Sequence, residues 1–175
     1  LLLGTTTNGV IPTASSSSLL TQPKWDKTNM HIYLGADHRG IELKKLVINW
    51  LSSHMYTFTD FGPSVFDAED DYNDYAKKVA HAIQDQPDGE AFGILICGSA
   101  QGMAMQANRF KGIRAAICHN TQEAIETRGH NDANILCLSA DATDDRYNEI
   151  IDAFLDSAAL PDEKYKRRTQ KLDEN

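Results

Sequence analysis

Short apolar runs alternate with longer amphipathic segments along the chain from residue 30 onward. The apolar runs of strand length lie at 31–36, 56–62, 92–97, 113–118 and 134–139. Segments with helical spacing of apolar positions lie at 40–54, 72–86, 101–110, 121–129 and 144–157. Strands that are apolar throughout are typical of a parallel sheet covered on both faces. The pattern predicts an α/β, Rossmann-like domain of three layers, with a five-stranded parallel sheet between two layers of helices.

The two ends of the chain depart from this alternation. Residues 1–29 are rich in Ser and Thr and lack sustained periodicity, so we expect a disordered leader or a start-site extension there. A single domain is expected over residues 30–175. Its last segment, 161–173, is basic and helix-like with no strand after it. This segment predicts an extra C-terminal helix that packs outside the alternating layers. Packing against a second subunit is one place for such a helix.

Composition and charge narrow the classes of function. Of the 175 residues, 41% are hydrophobic and 24% are charged, as in an ordinary globular domain. The net charge of -8 argues against binding to nucleic acid or to an anionic membrane, since both require basic surface. Cys97, Cys118 and Cys137 lie far apart, which favours neither a disulfide framework nor a zinc site. We therefore expect a cytoplasmic protein, with phosphorylated small molecules as the remaining charged ligands.

Polar residues lie next to several of the predicted strands. In parallel α/β sheets, ligands bind beyond the carboxyl ends of the strands. The polar residues closest to strand ends are Asp37, His38, Cys97, Ser99, His130 and Asn131. Taken singly, Asp37 fits a helix cap, Cys97 a small buried apolar residue and His130 a hydrogen-bonding loop residue. Taken together, they predict a catalytic site with all six groups on one edge of the sheet.

The segment "GILICGSAQGM" places a thiol at the start of a glycine-rich turn. Gly98 and Gly102 allow backbone N–H groups to approach a ligand, and the following helix adds its positive end. Such a turn stabilises a thiolate at Cys97 and a negative oxygen on a substrate. This arrangement suits attack on a carbonyl or removal of a proton beside one. Because "GADHRG" follows the first strand in place of G-x-G-x-x-G, a nicotinamide enzyme is not favoured.

Several segments together resemble one known family. "GADHRG", "DYNDYA", "GILICGSAQGM", "ANRFKGIRAAIC" and "RGHNDANIL" occur in the order and spacing of the type B ribose-5-phosphate isomerases and the related galactose-6-phosphate isomerase subunits. The resemblance covers residues 30–173. It implies an aldose–ketose isomerase of the pentose phosphate pathway that converts ribose 5-phosphate to ribulose 5-phosphate without metal or organic cofactor. It also implies a homodimer, with a tetramer as the alternative, whose sites are each built from both subunits.

The resemblance assigns catalytic roles to four residues. Cys97 resembles the base that moves a proton between C1 and C2, through an enediolate. Ser99 takes the place of the hydroxyl of the loop. His130 takes the place of the group that opens the furanose ring, with Asp37 nearby.

The resemblance also assigns a set of contacts to the sugar phosphate. The residues are His38, Asp71, Tyr72, Gly98, Gly102, Asn131, Lys164 and Arg168. Among them, His38 matches a contact to the phosphate. Lys164 and Arg168 fall where the family carries two arginines, and their i, i+4 spacing puts both on one helix face.

Three positions differ from the family pattern. Ala100 stands where a glycine is usual, and a non-glycine residue resists a positive φ. Asp141 stands near a position where relatives carry an arginine, so we expect it to repel a phosphate and Asp141→Arg to tighten binding. Lys164 lacks the bidentate donors of arginine. Two alternatives therefore stay open: an isomerase of another sugar phosphate (hexose, tetrose or other pentose), or a non-catalytic subunit that binds a phosphorylated metabolite.

Overall fold

All five predicted strands are present in the computed structural model, which describes residues 30–86, 91–142 and 145–174. The expected leader, residues 1–29, lies outside the described residues. The strands are β1 His31–Ala36, β2 Thr57–Asp60, β3 Ala91–Cys97, β4 Ala115–Ile117 and β5 Ile135–Ser139. The α-helices are α1 Ile41–Ser53, α2 Tyr72–Gln84, α3 Gln101–Ala107, α4 Thr121–Asn131, α5 Tyr147–Asp156 and α6 Glu163–Gln170. Two short 3-10 turns complete the fold: His38–Gly40 lies between β1 and α1, and Lys171–Asp173 follows α6.

The sheet is parallel throughout, with the strand order β2-β1-β3-β5-β4. The chain leaves β1 toward β2 on one side and returns to β3 on the other, so the topology reverses between β1 and β3. In open α/β sheets this reversal opens a crevice at the carboxyl ends of the two strands. Ala36 of β1 pairs with Ile96 of β3. The register therefore places Asp37 and Cys97 side by side at that crevice.

Two apolar clusters, one on each face of the sheet, form the core. Val47 of α1 and Phe154 of α5 belong to the cluster on one face. Val79 of α2 and Met103 of α3 belong to the cluster on the other. This confirms the three-layer prediction, because apolar residues from both faces of β3 reach a helical layer.

The C-terminal helix α6 lies against the end of α4 in the same chain. The N–H of Leu160 donates to the carbonyl of Gly129 at 2.9 Å, just before α6 begins. None of the residues of α6 is buried, and its charged side chains face outward. Within the described ranges, no helix has both the length and the apolar character needed to span a membrane.

Candidate active site

The Cys97 loop, residues 97–103, connects β3 to α3 at the crevice. The Cys97 thiol is 4% exposed, and burial, the largest effect, raises its pKa above the ordinary 9.0. Hydrogen bonds from the backbone N–H groups of Met103, Ala100 and Ser99 lower the same pKa and so favour the thiolate. Ala100 has φ 64 and ψ -14, so this alanine adopts the left-handed conformation that a glycine would adopt more easily. The loop forms the cluster of amide donors that the sequence predicts around the thiol. Burial outweighs these donors, so the neutral thiol is favoured over the thiolate that the sequence predicts.

Asp37 joins the first turn to the end of β3. Its carboxylate accepts the N–H groups of Arg39 at 3.0 Å and Gly40 at 3.1 Å, as a cap does. Its own N–H donates to the carbonyl of Ile96 at 3.1 Å. Its negative charge also raises the pKa of Cys97. Asp37 is thus both a cap and a neighbour of the thiol.

His38 pairs with a carboxylate that the sequence does not single out. Its Nδ1 lies 2.6 Å from Oδ1 of Asp70, whose side chain is 6% exposed. This hydrogen bond raises the pKa of His38. Asp71 lies exposed at the start of α2, and its side chain makes no capping bond there. The segment "DAEDD" contains three adjacent acids, and only the side-chain packing distinguishes Asp70 among them.

Tyr72 and Ser99 also lie at the Cys97 loop. A Cβ placed on Gly102 would lie 2.6 Å from Cζ of Tyr72, so the tyrosine ring rests directly on the first turn of α3. Ser99 is exposed at the mouth of the crevice. We call the group formed by Asp37, His38, Tyr72 and the Cys97 loop the thiol half of the site.

The imidazole half, made of His130, Asn131, Lys164 and Arg168, lies at the opposite edge of the sheet. The ring of His130 stacks on Tyr165 of α6 at 4.6 Å, and Lys164 Nζ lies 4.8 Å from the centre of the Tyr165 ring. His130 lines a cavity of about 440 Å³ together with Ala91, the first residue of β3.

The prediction that all six polar groups share one edge of a single chain is therefore wrong. Ala91 and Cys97 are the first and last residues of β3. At about 3.3 Å per residue, the strand separates the imidazole half from the thiol by roughly 20 Å. The physical reason is that His130 precedes β5, whereas Asp37 follows β1 and Cys97 is the last residue of β3.

Arg128 fixes the end of α4, close to the imidazole half. It is 1% exposed, and its guanidinium lies 4.7 Å from the centre of the Phe92 ring and 5.6 Å from that of Phe154. Its Nη1 donates to the carbonyl of Ala133 at 2.6 Å and to Asp132 at 2.9 Å. This buried cation closes the turn between α4 and β5, and no sequence motif indicated it.

Arg128→Ala is expected to lower the free energy of unfolding by about 3–5 kcal/mol, because it removes a large buried side chain packed on two aromatic rings and leaves the buried carbonyl of Ala133 without its donor. Urea denaturation measures the change. Lys45→Ala, an exposed substitution on α1, is the control and should stay within about 0.5 kcal/mol of the wild type. A loss below about 1 kcal/mol for Arg128→Ala would show that the guanidinium is replaceable by water.

Asp141 is not the unpaired carboxylate that the sequence suggested. Its Oδ2 accepts a hydrogen bond from Arg39 Nη2 at 2.5 Å. An arginine and a carboxylate thus stand together at the mouth of the thiol half. The expected gain from Asp141→Arg assumed an unopposed negative charge, and the structure shows one that is already neutralised.

A parallel α/β sheet with a thiol among backbone amides at its switch point forms a site suited to attack on a small carbonyl substrate or to removal of a proton beside the carbonyl. The sequence profile of the Ribose/Galactose Isomerase family matches residues 32–172. The chain belongs to this family, and it is a sugar-phosphate isomerase.

Individual relatives agree with the family. A Mycoplasma pneumoniae protein named probable ribose-5-phosphate isomerase B is 41% identical over 145 residues, covering 82% of this chain and 93% of that protein. The crystal structure of ribose-5-phosphate isomerase B from Mycoplasma genitalium with bound ribulose-5-phosphate has a TM-score of 0.77 at 38% identity. The match covers 83% of this chain and 95% of that one. The D-erythrulose-4-phosphate isomerase of Pectobacterium atrosepticum is 37% identical over 129 residues, 73% of this chain and 84% of that protein.

Proposed function

We propose that this enzyme interconverts ribose 5-phosphate and ribulose 5-phosphate, with Cys97 as the base. The observation that carries the proposal is the Cys97 thiol, held at the β1–β3 crevice with backbone N–H groups directed at it. The relatives named ribose-5-phosphate isomerase B, one of them with ribulose-5-phosphate bound, support the choice of substrate.

The reaction moves protons without a net change in electrons. The thiolate form of Cys97, which is the minor form because burial raises the pKa of the thiol, takes the proton from C2 of the open-chain aldose. The electron pair left behind forms the C1–C2 double bond of an enediolate. Backbone N–H groups of the loop stabilise the negative oxygen. The O2 proton passes to O1, the thiol returns its proton to C1, and the carbonyl then stands at C2. Ser99 stands at the mouth of the crevice, where a hydroxyl can exchange the oxygen protons.

The two separated halves lead us to propose a homodimer with shared sites. Opening the furanose ring by His130 and adding the cations of Lys164 and Arg168 to the phosphate site are the roles proposed for the imidazole half. One chain keeps this half about 20 Å from its own thiol. A two-fold axis brings the thiol half of one subunit to the imidazole half of the other, and does so twice.

The three buried thiols, all unpaired, favour a reducing cytoplasm.

A tetrose phosphate is the second candidate substrate. It is favoured by the similarity to the D-erythrulose-4-phosphate isomerase. Incubation with ribose 5-phosphate, erythrulose 4-phosphate and galactose 6-phosphate in parallel, followed by chromatography of the products, tests the proposal. We expect the highest kcat/KM on ribose 5-phosphate. A higher value on another sugar phosphate would replace the proposed substrate, and no turnover on any of the three would contradict the enzyme assignment.

Affinity for the sugar phosphate is expected to fall as the pH rises through the pKa of His38. The hydrogen bond to Asp70 raises that pKa above its ordinary 6.5, and the charge of Asp37 adds to this effect while Arg39 opposes it. His38 therefore keeps its positive charge to higher pH than an ordinary histidine does and loses it as the pH rises through the raised pKa.

Asp70→Asn shows whether this pairing sets the pH dependence of binding. It removes the main cause of the raised pKa, so the fall in affinity should move to lower pH. Plots of KM against pH for the wild type and this variant measure the shift. Asp67→Asn, in the same acidic loop, is the control and should leave the profile in place. Identical profiles for Asp70→Asn and the wild type would remove His38 from phosphate binding.

A further inference from the structure

Arg39 reaches from the first 3-10 turn across the Cys97 loop. The position where a Cβ would stand on Gly98 is 2.7 Å from both Cζ and Nη1 of Arg39. The guanidinium therefore lies against the loop backbone, in space that any side chain at position 98 would fill. The guanidinium of Arg39 thus covers the outer surface of the Cys97 loop.

Asp141 fixes the direction of this guanidinium from the other side. Its Oδ2 accepts from Nη2 of Arg39, and its backbone N–H donates to the carbonyl of Gly98 at 3.1 Å. Arg39, Asp141 and Gly98 form one closed group although 102 residues separate the two charged ones. Both side chains are about half exposed, at 55% and 52%. An exposed ion pair contributes little to stability, so the stability of the fold does not explain this arrangement.

The remaining donors of Arg39 are available to a ligand. In the described part of the chain, no acceptor bonds to Nε or Nη1, and both lie along the edge of the crevice. The fixed fork of a guanidinium matches two oxygens of a phosphate. His38, the preceding residue, adds an imidazole that is paired with Asp70 and is a second cation when protonated. Cys97 is 4% exposed at the floor of the same crevice, so a sugar whose C1 and C2 reach the thiol leaves its phosphate at the mouth.

We propose that Arg39 binds the phosphate group of the sugar phosphate and that Asp141 is its positioning residue. This inference rests on the proposed function, because it names the residue that recognises the charged end of the same substrate. It reverses the effect expected of Asp141 from the sequence: the carboxylate holds an arginine against the loop and does not repel the ligand.

Phosphate affinity measured without turnover is the first test. Calorimetric titration with inorganic phosphate should give a Kd about 10- to 100-fold higher for Arg39→Ala than for the wild type. Asp141→Asn should weaken binding by a smaller factor, because the guanidinium stays but is no longer held. Lys45→Ala, which removes an exposed lysine paired with Glu42 on α1, should bind as the wild type does. An unchanged Kd for Arg39→Ala would overturn the proposal even if the enzyme isomerises ribose 5-phosphate normally.

Steady-state kinetics show where on the substrate Arg39 acts. A contact to phosphate predicts that Arg39→Ala raises KM about 10- to 100-fold and leaves kcat within about threefold. A loss of kcat at constant KM would place Arg39 at the reacting oxygens and would overturn the assignment.

Exchanging the two charges tests the role of Asp141. In the double variant Arg39→Asp with Asp141→Arg, the pair is kept but the guanidinium comes from the opposite side of the loop. We expect phosphate binding at least several-fold tighter than in Arg39→Ala. A double variant no better than Arg39→Ala would remove Asp141 as the positioning partner.

Discussion

Cys97→Ala is expected to lower kcat on ribose 5-phosphate by a factor of about 10² to 10⁴, the usual contribution of a positioned general base. The loss arises because Cys97 ends β3 at the floor of the crevice, whereas Asp37 is engaged as a cap and His38 is paired with Asp70. The fold should persist, since alanine occupies part of the volume of a small buried thiol. Steady-state kinetics with circular dichroism on the same samples measure both effects.

Cys118→Ala is the matched control for this loss. Cys118 is also fully buried, and burial raises its pKa to about 12, so it stays a neutral thiol. It belongs to the apolar cluster packed against α1 and α5, on the face of the sheet away from α2 and α3. Activity of Cys118→Ala should remain close to that of the wild type. A Cys97→Ala enzyme with more than about a tenth of wild-type kcat would remove the thiol from the proton transfer.

Two separately inactive variants are expected to restore activity when they share a dimer. One subunit carries Cys97→Ala, and the other carries His130→Ala with Arg168→Ala. If each site combines the thiol half of one chain with the imidazole half of its partner, a mixed dimer contains one intact site and one doubly defective site. Its activity per dimer should be about half that of the wild type.

Co-expression with two different tags and sequential purification on both tags isolates the mixed dimers. Each inactive homodimer, purified in the same way with one tag, sets the background. Activity of the mixed dimer equal to this background would contradict a shared site. Failure to recover any doubly tagged protein would contradict the homodimer itself.

The thiol half could be predicted from the sequence because it depends on chain order. Asp37 and Cys97 each follow an apolar run, and parallel strands bring their carboxyl ends to one edge. The place of His130 in the chain indicates the opposite edge of the sheet, since this residue precedes the apolar run that forms β5. A residue that precedes a parallel strand lies at the amino edge of the sheet, so the position of His130 could have been predicted from chain order. The wrong step was to place His130 at the same edge as Cys97 within one chain.

Contacts between distant side chains could not be predicted in this way. The pairing of Arg39 with Asp141 joins residues 102 positions apart. In the sequence, Arg39 looks like an ordinary surface charge and Asp141 looks like an unpaired carboxylate. The choice of Asp70 over Asp71 depends on which side chain turns toward His38 at the start of α2. Such choices follow from packing in three dimensions, whereas apolar periodicity reports only which face of an element is buried.

Proton exchange with solvent tests the enediolate mechanism most directly. The purified enzyme is incubated in heavy water with ribose 5-phosphate, and separately with ribulose 5-phosphate, while NMR follows the protons at C1 and C2. We expect interconversion of the two sugars with deuterium entering at those carbons, because the Cys97 thiol exchanges its proton with water. Cys97→Ala should show neither interconversion nor deuterium uptake. Interconversion without any deuterium would indicate a hydride shift, and no interconversion by folded enzyme would contradict the proposed substrate.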